Sequence, residues 1–100
     1  MLTITAVIRV KPGRAAAMRA ALLEVASYVA TNEPGTVGYF ISQSADEPEL
    51  FTTYERFADR TAMDRHNGSP AVAKCLAVAK DILAEPFAVH IGTEQSALRR

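Results

Sequence analysis

The chain has 100 residues, 49% of them hydrophobic, with 11 basic and 11 acidic side chains and no formal net charge. That length makes one domain around one core, spanning 1–100, and the apolar content excludes a disordered chain. Lys and Arg are scattered apart from Arg99-Arg100 at the end, so there is no basic stripe of the kind a nucleic-acid partner requires.

The opening Met1-Leu2-Thr3-Ile4-Thr5 carries no basic segment, long apolar core or cleavage site, so no export signal is expected. No apolar run approaches the roughly 20 residues that cross a bilayer. A soluble, cytoplasmic protein with no membrane partner is the expectation. From Leu2 to Val10 the residues alternate as a strand does: Leu2, Ile4, Ala6, Ile8 and Val10 share one wholly apolar face, which should meet helices. Lys11-Pro12-Gly13 ends that strand as a turn.

From Arg14 to Asn32 the period becomes helical, with Met18, Leu22, Val25 and Val29 forming a stripe. Asn32 is placed to close the helix in a left-handed conformation, and Pro34 forces Glu33 towards extended geometry. Val37–Ser44 and Leu50–Arg56 read as the second and third strands. The acidic Ala45-Asp46-Glu47-Pro48-Glu49 between them reads as a solvated hairpin tip. Asp59 caps a short helix to about His66, closed by Asn67-Gly68. Ser69-Pro70 starts the last helix as N-cap and first helical residue, and Val72, Cys75, Leu76, Ala79, Ile82 and Leu83 are expected to form its buried stripe. Cys75 is the only cysteine, which excludes an internal disulfide and a cysteine-built zinc site. Glu85-Pro86 stops this helix, and Phe87–Thr93 is the last strand, with Phe87, Val89 and Ile91 on one face and His90 on the other.

The order strand, helix, strand, strand, helix, strand is the ferredoxin-like split βαβ arrangement, an α+β fold with an antiparallel sheet and helices on one face. The central strands carry large apolar groups in both registers, including Tyr39, Phe40, Phe51 and Tyr54. The open sheet face should therefore be covered, most simply by a second copy in a twofold homodimer. Phe40 or Phe51, whichever faces outward, would anchor that contact.

Glu55 shares a strand face with Phe51, Thr53 and Phe57. If that is the open face, Glu55 lies in an aromatic pocket between two sheets, where a carboxylate lacking a cation exchanges protons near neutrality. A purely structural carboxylate fits the pattern equally. His66, at the end of the next helix, can return over the strand to hydrogen-bond Glu55 as a base with its orienting group, or simply complement a helix dipole. Tyr39 and Tyr54 are packing residues with a polar tip that can also serve a substrate as hydrogen-bond donors. There is no Gly-rich phosphate loop, zinc-protease motif or nucleophile elbow.

Val10-Lys11-Pro12-Gly13, Glu33-Pro34-Gly35-Thr36-x-Gly38-Tyr39, Tyr54-Glu55-Arg56-Phe57-x-Asp59 and His66-x-x-Ser69-Pro70 together resemble the antibiotic biosynthesis monooxygenase family, from about Thr3 to about Ile91. The resemblance implies a dimeric α+β barrel of two ferredoxin-like subunits, each with a pocket between sheet and helices. Members of that family include monooxygenases that need no cofactor and isomerases of small ketones, and Glu55 and His66 match positions that recur near the family's pocket. The expected site has Glu55 and His66 as catalytic residues, no metal, and Phe57, Tyr39, Phe51 and Tyr54 around the substrate. Phe57 stands where many members carry Trp. The haem-degrading relatives have an Asn in the first strand and a His in the last long helix, and this chain has neither.

The expected activity is cofactor-independent monooxygenation of a small phenol, quinol or enolisable ketone by oxygen. A small-molecule isomerase or tautomerase using the same pocket, and a non-catalytic dimeric ligand-binding protein, are the alternatives.

Overall fold

In the computed structural model, which describes residues 1–100, the apolar alternation at the N-terminus forms β1 (Leu2–Arg9). It is followed by α1 (Ala15–Asn32), β2 (Thr36–Gln43), β3 (Leu50–Phe57), α2 (Arg60–Asn67), α3 (Pro70–Ile82) and β4 (Ala88–Thr93). The four strands form one sheet in the order β2-β3-β1-β4, and every neighbouring pair is antiparallel. This is the ferredoxin-like α+β fold expected from the order of elements.

Register decides which side of each strand meets the helices. Ile4 pairs with Glu55, Ala6 with Thr53 and Ile8 with Phe51, and Tyr39 pairs with Glu55 from the other side. Ala6, Ile8 and Phe51 are buried in one cluster with Met18, Leu22 and Val25 of α1 and Cys75, Ala79 and Ile82 of α3. A smaller cluster joins Ile4 and Phe57 to Ala62 and Met63 of α2. All three helices therefore pack on the face that carries Ile4, Ala6 and Ile8. The opposite face carries Val7, Phe40, Tyr54 and His90, and Phe40 is 56% exposed there.

The helix boundaries follow the local chemistry. Asp59 accepts a hydrogen bond from the Ala62 amide at 2.8 Å, and Ser69 accepts one from the Val72 amide at 3.1 Å with Pro70 behind it. The end of α1 differs from expectation. No non-glycine residue has a positive φ, and Asn32 stays helical, its side-chain amide donating to the Tyr28 carbonyl at 3.1 Å. Glu33 closes the helix instead, at φ −126° and ψ 77°, because Pro34 forbids it the helical region. Its amide still donates to the Val29 carbonyl at 3.0 Å, so the chain leaves α1 with Glu33 turned under the sheet edge and buried.

Candidate active site

Three buried ionisable side chains meet beneath α2. His66 Nδ1 lies 2.8 Å from Glu33 Oε1, and His66 Nε2 lies 3.2 Å from Glu55 Oε1. The fractional exposures are 5%, 6% and 3% for Glu33, Glu55 and His66, so each group must be satisfied internally. Thr36 donates its hydroxyl to Glu33 Oε1 at 2.8 Å, and Thr53 donates to Glu55 Oε2 at 2.7 Å. Glu33 Oε2 is buried with no partner.

Each member is delivered by a separate local device. Alternation along β3 turns Glu55 inward beside Thr53. The Asp59 cap starts α2 so that His66 falls on its buried face with Ala62 and Met63. Phe57 and Tyr39 hold the ring on two sides, with centroids 5.4 Å and 5.5 Å away. Glu33 arrives through Gly35, whose carbonyl accepts the Ala58 amide at 2.9 Å. Burial alone disfavours a charged imidazole, but hydrogen bonds to Glu55 and then Glu33 outweigh it and hold the His66 pKa above its ordinary value.

Beside this cluster lies a cavity of about 310 Å³ between the sheet and helices α1 and α3. Its walls are Ile4, Ala6 and Ile8 of β1, Leu22 and Val25 of α1, Val72, Cys75 and Leu76 of α3, and Phe87, Val89 and Ile91 at the far edge. The polar lining comes from Thr53, Glu55, His66 and Asn67, with the Tyr39 ring beside them. No Lys or Arg lines it, so the space suits an uncharged, largely apolar molecule with one or two polar groups. Val89 and Ile91 face this side yet are 52% and 57% exposed, which makes β4 the cavity's mouth. Burial, with the Glu55, Cys75 and Glu33 charges adding to it, pushes the Tyr39 phenol above its ordinary pKa, so Tyr39 stays a neutral hydrogen-bond donor.

The structure brings Glu55 and His66 together, as the return of the short helix after β3 suggested. It corrects their setting: Glu55 lies on the helix-covered face, not between two sheets, because the β1 register ties it to Ile4. Tyr39 lines the cavity. Phe57 is fully buried as a backing for His66, and Phe51 is fully buried in the helix-facing core, so neither borders the cavity. Tyr54 does not reach it either. It lies on the open face and donates to Glu94 Oε2 at 2.6 Å, beside a two-bond contact from Arg56 to the same carboxylate. His90 pairs with Thr5 on that open face. Asn67 was legible as a helix-ending residue, and Glu33 as a helix end and as part of the Glu33-Pro34-Gly35-Thr36 motif, but neither was readable as a site residue.

The fold and the site define a small ferredoxin-like α+β domain that sets a ligand-sized apolar cavity against a buried carboxylate–imidazole cluster. The chain belongs to the antibiotic biosynthesis monooxygenase family, whose model matches residues 1–78. It is 35% identical over 81 residues to the Mycobacterium tuberculosis protein Rv0793, which bears a monooxygenase name; the match covers 81% of this chain and 78% of that protein. The solved structure of Rv0793 superposes with a TM-score of 0.87, covering 98% of each chain, at 26% identity over that longer alignment. A Nitrosomonas europaea structure named for antibiotic biosynthesis monooxygenase superposes with a TM-score of 0.88 at 25% identity, covering 96% of this chain and 100% of that one. No helix is long and apolar enough to cross a membrane.

Proposed function

We propose that this protein is a cofactor-independent monooxygenase of a small, uncharged phenol, quinol or enolisable ketone. The observation that carries this reading is the Glu55–His66 pair on the wall of a largely apolar cavity. Family membership supports the reaction class. The cavity's lack of basic side chains argues against a carboxylate- or phosphate-bearing substrate. Both ring nitrogens of His66 are engaged by carboxylates, so Glu55 is the group that meets the substrate proton, and His66 orients it and shares its charge.

In this reading a substrate C–H or O–H proton passes to Glu55, and the anion is left in a dry site. One electron moves from that anion to oxygen, and the radical pair combines into a C–O bond as a peroxide anion. The cluster returns its proton to the outer peroxide oxygen. Loss of the remaining proton on the same carbon, with cleavage of the O–O bond, gives a carbonyl and releases the second oxygen as water. Exclusion of water by the apolar walls protects the anion until oxygen arrives.

The test is oxygen uptake by metal-stripped protein over a panel of quinols, compared with E55Q and H66A. A positioned base is worth about 10²–10⁴ in rate, and equal rates in wild type and both variants would remove the pair from the mechanism. Turnover without oxygen and with unchanged product mass would instead identify an isomerase. A second copy packed on the open sheet face, with Phe40 at its centre, completes the proposed active species.

A further inference from the structure

We propose that Glu33 is a positioning residue that sets the charge of the site: by holding the Nδ1–H of His66 it keeps the ring doubly protonated and leaves the Glu33–His66–Glu55 cluster with one net negative charge. The inference rests on the acid–base role given to Glu55 and says what makes that carboxylate a base. Glu33 lies behind His66 and does not border the cavity, so it acts on a substrate only through the ring.

The geometry carries the argument. Carboxylate oxygens stand opposite both ring nitrogens, at 2.8 Å and 3.2 Å, and each nitrogen bonds an ionised carboxylate only as a donor. An imidazolium between two carboxylates sums to one negative charge. The hydroxyls of Thr36 and Thr53 add hydrogen bonds but no charge, and Glu33 Oε2 has no partner. The other groups around the ring are Phe57 of β3 and Tyr39 of β2, with Cys75 of α3 on the same cavity wall. Asp64 and Arg65, next to His66 on α2, are exposed. No cation therefore offsets the cluster from the cavity side. Accepting one proton makes it neutral, which a low-dielectric site favours. Without the Glu33 charge the same step would create a buried cation, which the site disfavours.

Glu33→Gln separates charge from geometry, because the Gln carbonyl can still accept from Nδ1. The measurement is the pH titration of the His66 ring nitrogens by ¹⁵N NMR, with a His90→Gln variant assigning the second histidine. Wild-type His66 should remain an imidazolium above the ordinary value of about 6.5, and E33Q should lower its titration by on the order of one pH unit. Glu55→Gln gives the second arm: with Glu33 intact, the ring should still titrate above the ordinary value. An E33Q titration that coincides with wild type, or an E55Q ring that titrates at or below the ordinary value, overturns the proposal. None of these readings uses turnover. An inactive protein with the expected titrations would sink the oxygenase reading and leave the role of Glu33 standing.

Discussion

Gly35 and Ala62 approach so closely that a Cβ built on Gly35 would lie 2.7 Å from the Ala62 Cβ. This contact seats the loop after α1 against α2, and it is why Glu33 can reach His66. Gly35→Ala should force the loop and the helix apart at a cost of about 1–3 kcal/mol, the usual range for overpacking. The same displacement lengthens the 2.8 Å Glu33–His66 contact. Urea denaturation should show the loss of stability, and the ring-nitrogen titration of His66 should fall with it. A variant as stable as wild type with an unchanged His66 would show that the loop position does not depend on the missing side chain.

His66→Leu removes the only cationic group between two buried carboxylates. Breaking one side of a buried ion pair typically costs about 3–5 kcal/mol, because the remaining charge is left uncompensated. Here two carboxylates are left, each under one-tenth exposed, so the upper part of that range is expected. The triple variant E33Q/E55Q/H66L should recover most of the loss, since it removes the stranded charges. A linear-extrapolation free energy for the single and triple variants distinguishes stranded charge from lost packing around Phe57 and Tyr39.

How much of this was visible in the chain can be traced through β3. Alternation separates Phe51, Thr53, Glu55 and Phe57 from Thr52, Tyr54 and Arg56, but both sets carry aromatics, so hydrophobicity alone cannot assign the covered face. The answer lies in the pairing of Glu55 with Ile4, a long-range register that no local pattern encodes. The helix caps at Asp59 and Ser69 are local chemistry, and those positions were readable. Glu33 was not readable as a site residue, because its role depends on a contact to His66 across 33 positions of sequence. Tyr54 falls on the face opposite Glu55 by that same alternation, and its partner there, Glu94, lies 40 residues away.

Stability should decline on both sides of a plateau, for two separate reasons. His66 has a folded pKa above its ordinary value, so its contribution is complete below about 6.5 and is lost as pH rises through the folded value. Glu94 is the opposite case: hydrogen bonds from Arg56 and Tyr54 pull its pKa down to about 2. Its contribution is complete above the ordinary carboxylate value of about 4.3 and is lost as pH falls towards the folded value. Urea midpoints measured across pH should therefore be highest between about 4.5 and 6.5. E33Q, which weakens the His66 contribution without stranding a pair of carboxylates, should reduce the alkaline limb alone, and E94Q should reduce the acid limb alone. A single variant that altered both limbs would mean the two clusters are coupled through the sheet.

The open sheet face gives the last prediction. Phe40 is 56% exposed, Tyr54 38% and Val7 37%, and the Phe40 and Tyr54 rings pack at a centroid distance of 6.4 Å. Phe51, the other central-strand phenylalanine, is fully buried under the helices, so Phe40 is the residue a partner would meet. Helices cover only the opposite face, and an aromatic surface on a sheet is a poor one to leave in water. A twofold contact of standard size would bury about 800 Å² on each protomer. The protein should then sediment at micromolar concentration at twice its 10.8 kDa chain mass. Phe40→Asp should convert it to a monomer, since the charge would sit unpaired in the centre of the contact. Because Phe40 points away from the cavity, F40D should leave the His66 titration of the folded chain unchanged. A wild type that sediments as a stable monomer would refute the dimer, and a monomeric F40D with altered His66 titration would show that the partner reaches the site.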